Sequence, residues 1–272
     1  MIVWFGLLGL AVGSFLNVLI LRWGEKPLTG RSVCPACKKQ IAWYDLIPVF
    51  SWLVLRGRCR SCKGSISPQY PLIEAATGVL FALLGAAPMA LPLQLLALPI
   101  AALLIAIAVY DFKTTLIPDM WVWLFNGIAL LSIFLFPLYD IQDTLYALLA
   151  GPLTAFPLFS LWHVSRGRWM GFGDVKLALG MGWLLGIMSG PLALFLGFVL
   201  GAVVSVLLLA LSSPSVHRLT APHHFLHRAL GIKSGTGYTM KSEIPFGPFL
   251  IASTIIVWIS GIYGIVLVEY LI

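Results

Sequence analysis

Charge is what this chain has least of. Of its 272 residues only 10% are Asp, Glu, Lys or Arg, against about 25% in an ordinary soluble domain. Acidic residues number 10 and basic residues 17, for a net charge of +7. With 60% hydrophobic residues and a mean hydropathy of +0.99, the chain reads as an integral membrane protein with several spans. Familiar catalytic signatures are missing too. Neither H-E-x-x-H nor G-x-S-x-G occurs, which sets aside a zinc-protease helix and a serine nucleophile elbow. No Rossmann-type glycine fingerprint with its acidic residue is present, so no cofactor site is located by the sequence. No segment repeats another, which weakens the reading of a cation- or proton-coupled transporter. The first apolar run lacks a preceding basic region and a following small-residue cleavage site, so it is expected to be a retained span, not a signal peptide. Nucleic acid is not an expected partner, because the aromatics that would stack on bases lie largely inside apolar runs.

What is there is hydrocarbon in span-sized pieces. A span needs roughly 20 mostly apolar residues, and eight runs qualify: 2–21, 71–87, 91–110, 120–138, 144–162, 175–188, 192–211 and 247–268. The expected fold is all-α and polytopic. Nine of the 17 basic residues fall between Arg22 and Tyr70. With eight spans, all 17 lie on one side, and the positive-inside rule makes that side cytoplasmic, with both termini outside. The long 212–242 connection carries His217, His223, His224 and His227. It reads as a metal-binding cluster or as an amphipathic segment lying on the membrane.

The four cysteines form two pairs, Cys34-Pro35-Ala36-Cys37 and Cys59-Arg60-Ser61-Cys62, with 21 residues between them. Paired C-x-x-C knuckles at such spacing present four thiolates to one zinc ion, and a reducing cytosol disfavours disulfides. The expected role is structural, because four protein ligands leave no open position and a loop of this size has little core of its own. Between the knuckles, Trp43, Tyr44, Phe50 and Trp52 read either as a small core beneath the metal or as a substrate or cofactor surface.

Five carboxylates stand at the cytoplasmic ends of spans: Glu74, Asp111, Asp119, Asp174 and Glu243. Ionisable groups there are costly and mark function. Peptide hydrolysis without a catalytic metal or a nucleophilic side chain needs two carboxylates sharing a proton, one activating water and one protonating the carbonyl oxygen. Asp111 and Asp174 fall on the same membrane face. Gly171 and Gly173, just before Asp174, remove side chains where a backbone or an extended substrate could approach. Asp119, after Pro118, suits a helix N-cap, and Asp174 has the same alternative.

Six stretches in order then carry a resemblance. They are Gly13-Ser14-Phe15-Leu16-Asn17-Val18 with Arg22; the two knuckles; Ser67-Pro68-Gln69-Tyr70-Pro71-Leu72-Ile73-Glu74; Asp111 with Ile117-Pro118-Asp119; Gly171-Phe172-Gly173-Asp174-Val175-Lys176; and Glu243-Ile244-Pro245-Phe246-Gly247-Pro248-Phe249. The chain resembles the type IV prepilin peptidases, GxGD-type intramembrane aspartic proteases. The resemblance implies removal of the basic leader of prepilins and pseudopilins at the cytoplasmic face of the bacterial inner membrane, with Asp111 and Asp174 catalytic. It implies supporting or substrate-orienting roles for Glu74, Asp119 and Lys176. It also implies N-methylation of the new amino terminus with S-adenosylmethionine. The expected organisation is a first span (1–21), a zinc module (22–70) and a protease core (71–272) with cytoplasmic loops at 111–119, 163–174 and 212–246. A non-catalytic pilus or secretion assembly subunit is the remaining alternative.

Overall fold

The computed structural model describes residues 1–24, 27, 30–135, 141–211 and 244–265. Among these the fold is helical, with no strand beyond the isolated bridges Val33–Gln40 and Arg58–Ser65. The described residues divide into two compact units, 1–86 and 87 onward.

In the first unit, α1 (Ile2–Arg22) packs against α3 (Gln69–Ala86). Glycines explain how closely. A Cβ on Gly9 would come within 2.9 Å of the Gly78 Cα, and one on Gly13 within 2.7 Å of the Glu74 Cα. Small residues four apart let two membrane helices bring their backbones together where hydrocarbon supplies no hydrophobic drive. Asn17, one turn on, donates from Nδ2 to the carbonyls of Gly13 and Tyr70, each at 3.2 Å, tying the pair together. Between the helices lie the cysteine knuckles, a 3-10 turn at Trp43–Leu46 and the short α2 (Phe50–Val54).

The second unit holds α4 (Leu91–Thr114), α5 (Asp119–Leu135), α6 (Ile141–Ser165), α7 (Phe172–Leu185), α8 (Ser189–Leu211) and α9 (Gly247–Ile262). Here α7 is the hub, touching α5, α6, α8 and α9. Its own glycines permit this: a side chain at Gly180 would run into Phe125 and Asn126 of α5, and one at Gly182 into the Ala150 carbonyl of α6.

Among the described residues, five helices (α1, α3, α4, α6 and α8) are long and apolar enough to cross a membrane. Large apolar side chains such as Trp4, Phe15, Phe156 and Phe195 face outward along them, which water would not tolerate over so much surface and lipid does. At 14 residues, α7 rises about 21 Å, short of the roughly 30 Å hydrocarbon core. The apolar runs and the helices start within three residues of each other throughout. The main difference is at α4. The apolar run stops at Tyr110 but the helix continues one turn to Thr114, so Asp111 is helical and the connection shortens to 115–118. The helix ends where Thr115 adopts φ +55° and its N–H caps back onto the Asp111 carbonyl at 2.7 Å. The 212–242 connection with its histidines and the C-terminal tail lie outside the described residues.

Candidate active site

Asp111 sits in the last turn of α4 and Asp174 in the first turn of α7; both are buried. Gly171 is the N-cap of α7, in an extended conformation. Asp174 is therefore inside the helix rather than its cap. Its position near the N-terminus still places a carboxylate at the favourable end of the helix dipole. The two carboxylates are near enough for the charge on Asp111 to act on Asp174.

Two backbones close around them. The start of α9 brings the Gly247 N–H toward the Asp111 carboxylate, and a Cβ on Gly247 would lie 2.5 Å from Asp111 Oδ2. Oδ2 itself is buried and has no hydrogen-bond partner among the described residues. Ile117, in the 115–118 connection, fills the space beside both glycines: a Cβ at Gly173 would stand 2.9 Å from its Cβ, and one at Gly247 3.3 Å from its Cδ1. Four chain segments thus converge, and Gly173 and Gly247 are where only hydrogen fits.

Lys176, two residues after Asp174, donates from Nζ to Asp119 Oδ1, joining the first turns of α7 and α5. It also lies over the Phe172 ring, 5.5 Å from the centroid. Its carbonyl accepts from Asn126 Nδ2 at 3.1 Å. Asp119 is the first residue of α5, and its recorded side-chain bond goes to Lys176, where the sequence suggested a cap. Tyr110 and Trp121 meet edge to face at 5.3 Å, bracing α4 against α5 at the same level. Asp111, Asp119, Gly171, Gly173, Asp174 and Lys176 are therefore gathered within the second unit. Gly247 and Ile117 stand in stretches that carry the resemblance, but the sequence reading gives neither a role of its own. The Gly-Pro pair signals that a helix starts at Gly247, since proline in the first turn marks a helix start, but not what lies against it.

Glu74 belongs to the first unit. It is buried on α3, and its Oε2 accepts the Val49 N–H at 2.7 Å. The four cysteines also lie in this unit. Their sulfurs are all within 4.8 Å of one another, and Cys34 Sγ and Cys62 Sγ are 3.8 Å apart. A tetrahedral ion with bonds of about 2.3 Å requires sulfurs roughly 3.8 Å apart, whereas a disulfide would hold them near 2 Å. The knuckles are built alike. Lys38 donates back to the Cys34 carbonyl and Lys63 to that of Cys59, each lysine at φ +59°. Backbone N–H groups of Cys37 and Ala36 aimed at the Cys34 sulfur lower its pKa to about 6. Those of Cys62 and Ser61 lower that of Cys59. The donor set and its spacing fit a zinc ion.

The aromatic stretch does not form a small core beneath the cysteine cluster. Trp43, Tyr44 and Phe50 are exposed, and only Trp52 turns inward, donating from Nε1 to the Ile66 carbonyl at 3.3 Å.

Comparison with known proteins adds an independent line. Residues 7–87 match the bacterial peptidase A24 N-terminal domain and residues 98–206 the type IV leader peptidase family. The chain is 38% identical to a prepilin leader peptidase/N-methyltransferase of Klebsiella pneumoniae, over 69% of this chain and 86% of that one. It is 31% identical to the Stutzerimonas stutzeri protein of the same name, over 94% and 89% of the two chains. A Neisseria gonorrhoeae relative, also of that name, is 32% identical over 74% and 80%. No solved structure matches.

Proposed function

The chain belongs to the type IV leader peptidase family, and from that premise we propose that it removes the leader of prepilins and pseudopilins with an aspartic pair and methylates the new amino terminus. The observation that carries the peptidase reading is that two buried carboxylates, Asp111 and Asp174, stand at the ends of two helices of an otherwise apolar bundle, near enough for their charges to interact. The pair holds one proton between its members, because two adjacent buried carboxylates cannot both ionise. The ionised member takes a proton from water as the water oxygen attacks the scissile carbonyl carbon. The protonated member gives its proton to the carbonyl oxygen, and collapse of the tetrahedral species passes a proton to the departing amine. Gly171 leaves room for an extended substrate backbone, while Gly173 and Gly247 let Ile117 and the Asp111 carboxylate close in against their backbones. Lys176 and Asp119 fix the first turn of α7, and with it Asp174.

A prepilin carries a hydrophobic helix behind a short basic leader, so its scissile bond falls at the membrane face. All 17 basic residues fall on one side of the eight-span arrangement, which supports a cytoplasmic active site and zinc module, with both termini outside, in the bacterial inner membrane. The organisation is a first span, the metal module and the protease core. Cys34, Cys37, Cys59 and Cys62 hold a structural zinc ion, whose binding free energy orders the module. The methyl donor, S-adenosylmethionine, is a substrate of the second activity: its methyl passes to the free amine, which loses a proton, and S-adenosylhomocysteine leaves.

Reconstituted protein incubated with a model prepilin, followed by mass spectrometry of the product, tests both activities. Leader loss without the methyl donor, and a methyl mass shift only with it, is the expected result. Binding of prepilin without any cleavage would favour an assembly subunit instead.

A further inference from the structure

Seven of the twelve residues from Trp43 to Val54 are large, apolar or aromatic, and exposed: Trp43, Tyr44, Leu46, Ile47, Phe50, Leu53 and Val54. Trp43 is 79% exposed, Phe50 62% and Leu53 60%, values a soluble surface avoids in so dense a patch. On α2 the outward residues stand at Phe50, Leu53 and Val54, the i, i+3, i+4 spacing of one helical face. The opposite side is occupied, with Ser51 buried and bonded to the Tyr44 carbonyl at 2.8 Å.

This segment is fastened to a membrane helix. Val49, in its middle, donates its N–H to the buried Glu74 carboxylate on the second turn of α3. To reach it, Val49 takes φ +59°, a conformation that β-branched residues avoid unless the surroundings impose it. The second knuckle is tethered close to the same helix. Only residues 65–68 separate Gly64 from the start of α3, a reach of at most about 14 Å. Beside the patch, Val54, Leu55, Arg56, Arg58 and Lys63 line an open cleft of about 510 Å³. Arg60 is neutralised by a bidentate pair with Asp45. Arg56, Arg58 and Lys63 are in no ion pair among the described residues.

We propose that the 43–54 segment is an interfacial anchor that lays the zinc module on the bilayer, with Trp43, Phe50, Leu53 and Val54 in the headgroup–acyl boundary and Arg56, Arg58 and Lys63 receiving the phosphates of anionic phospholipids. Aromatic and aliphatic side chains with basic neighbours are the composition of such in-plane segments. Each basic side chain at the surface is worth roughly fivefold in preference for an anionic leaflet. The anchor keeps the module at the depth where a membrane-borne substrate presents its leader.

The test uses full-length protein carrying a benzophenone side chain at Phe50 or Trp43, in nanodiscs of phosphatidylcholine alone or mixed with phosphatidylglycerol. Illumination followed by mass spectrometry should give lipid adducts at both positions, at a level comparable with a Phe15 control on α1. Phosphatidylglycerol adducts should exceed its mole fraction several-fold. That excess should vanish in the triple variant Arg56→Gln/Arg58→Gln/Lys63→Gln, whose retained zinc reports an intact module, and in high salt with the unmodified sequence. Absence of lipid adducts at Phe50 and Trp43 while Phe15 labels would overturn the proposal. So would adducts to added prepilin in place of lipid, which would make the patch a substrate surface.

Discussion

At the scale of single residues, the site depends on two positions where a hydrogen replaces a side chain. A methyl at Gly247 would sit 2.5 Å from Asp111 Oδ2, so Gly247→Ala must displace either α9 or the carboxylate. A displacement of about 1 Å at a reacting group costs on the order of a hundredfold in rate. Gly247→Ala is expected to lower kcat of leader cleavage by about that factor with little change in KM, measured on reconstituted enzyme. The Lys176–Asp119 pair is a different case. Asp119 is largely exposed, so the ion pair contributes at most about 1 kcal/mol to stability. Its effect is expected in positioning: Lys176→Met should reduce kcat about tenfold at nearly unchanged Tm, and Lys176→Arg should restore much of it. An equal fall in Tm and activity would reduce the pair to a structural tie. Asp111 and Asp174 were legible from sequence as candidates because ionisable groups beside spans are costly and these two fall on one membrane face. Gly247 was not, because its constraint comes from a residue far away in the chain.

At the scale of elements, the apolar runs located the helices but not where each ends. Tyr110 closes the hydrocarbon run, yet α4 continues through Phe112, Lys113 and Thr114 because a helix does not stop at the membrane edge; it stops where the backbone of Thr115 turns left-handed. The extra turn decides the site, since it makes Asp111 a residue of a rigid helix and not of a loop. The cysteine module shows the converse. Its knuckles were plain in the spacing, whereas its aromatics read either as a core or as a surface, and Trp43, Tyr44 and Phe50 are exposed while Trp52 turns inward. The proposed zinc ion, by ordering the loop, would remove the need for a core. Zinc binding should depend on pH in a definite sense. Protons compete with the ion for all four sulfurs, so thiolate ligation is lost as pH falls. Metal release followed with a chromogenic chelator should therefore rise on acidification. Cys34→Ser/Cys37→Ser protein should contain no stoichiometric zinc at any pH, while leader cleavage persists.

At the scale of the whole molecule, the one-sidedness of the basic residues and the pairing of the two carboxylates are linked. If both termini face outward, Asp111, Asp174 and the cysteine module all meet the cytoplasm. Fusions of a periplasm-dependent reporter enzyme should be active after Ile262 and inactive after Lys63; the reverse pattern would invert the topology. The most direct measurement is leader cleavage by membranes containing Asp111→Asn or Asp174→Asn, with insertion verified on the same samples. The aspartic-pair account predicts that each variant inserts normally and leaves the prepilin uncut, a loss of at least a thousandfold, because an amide cannot take up or share the catalytic proton. Normal cleavage by either variant would contradict it.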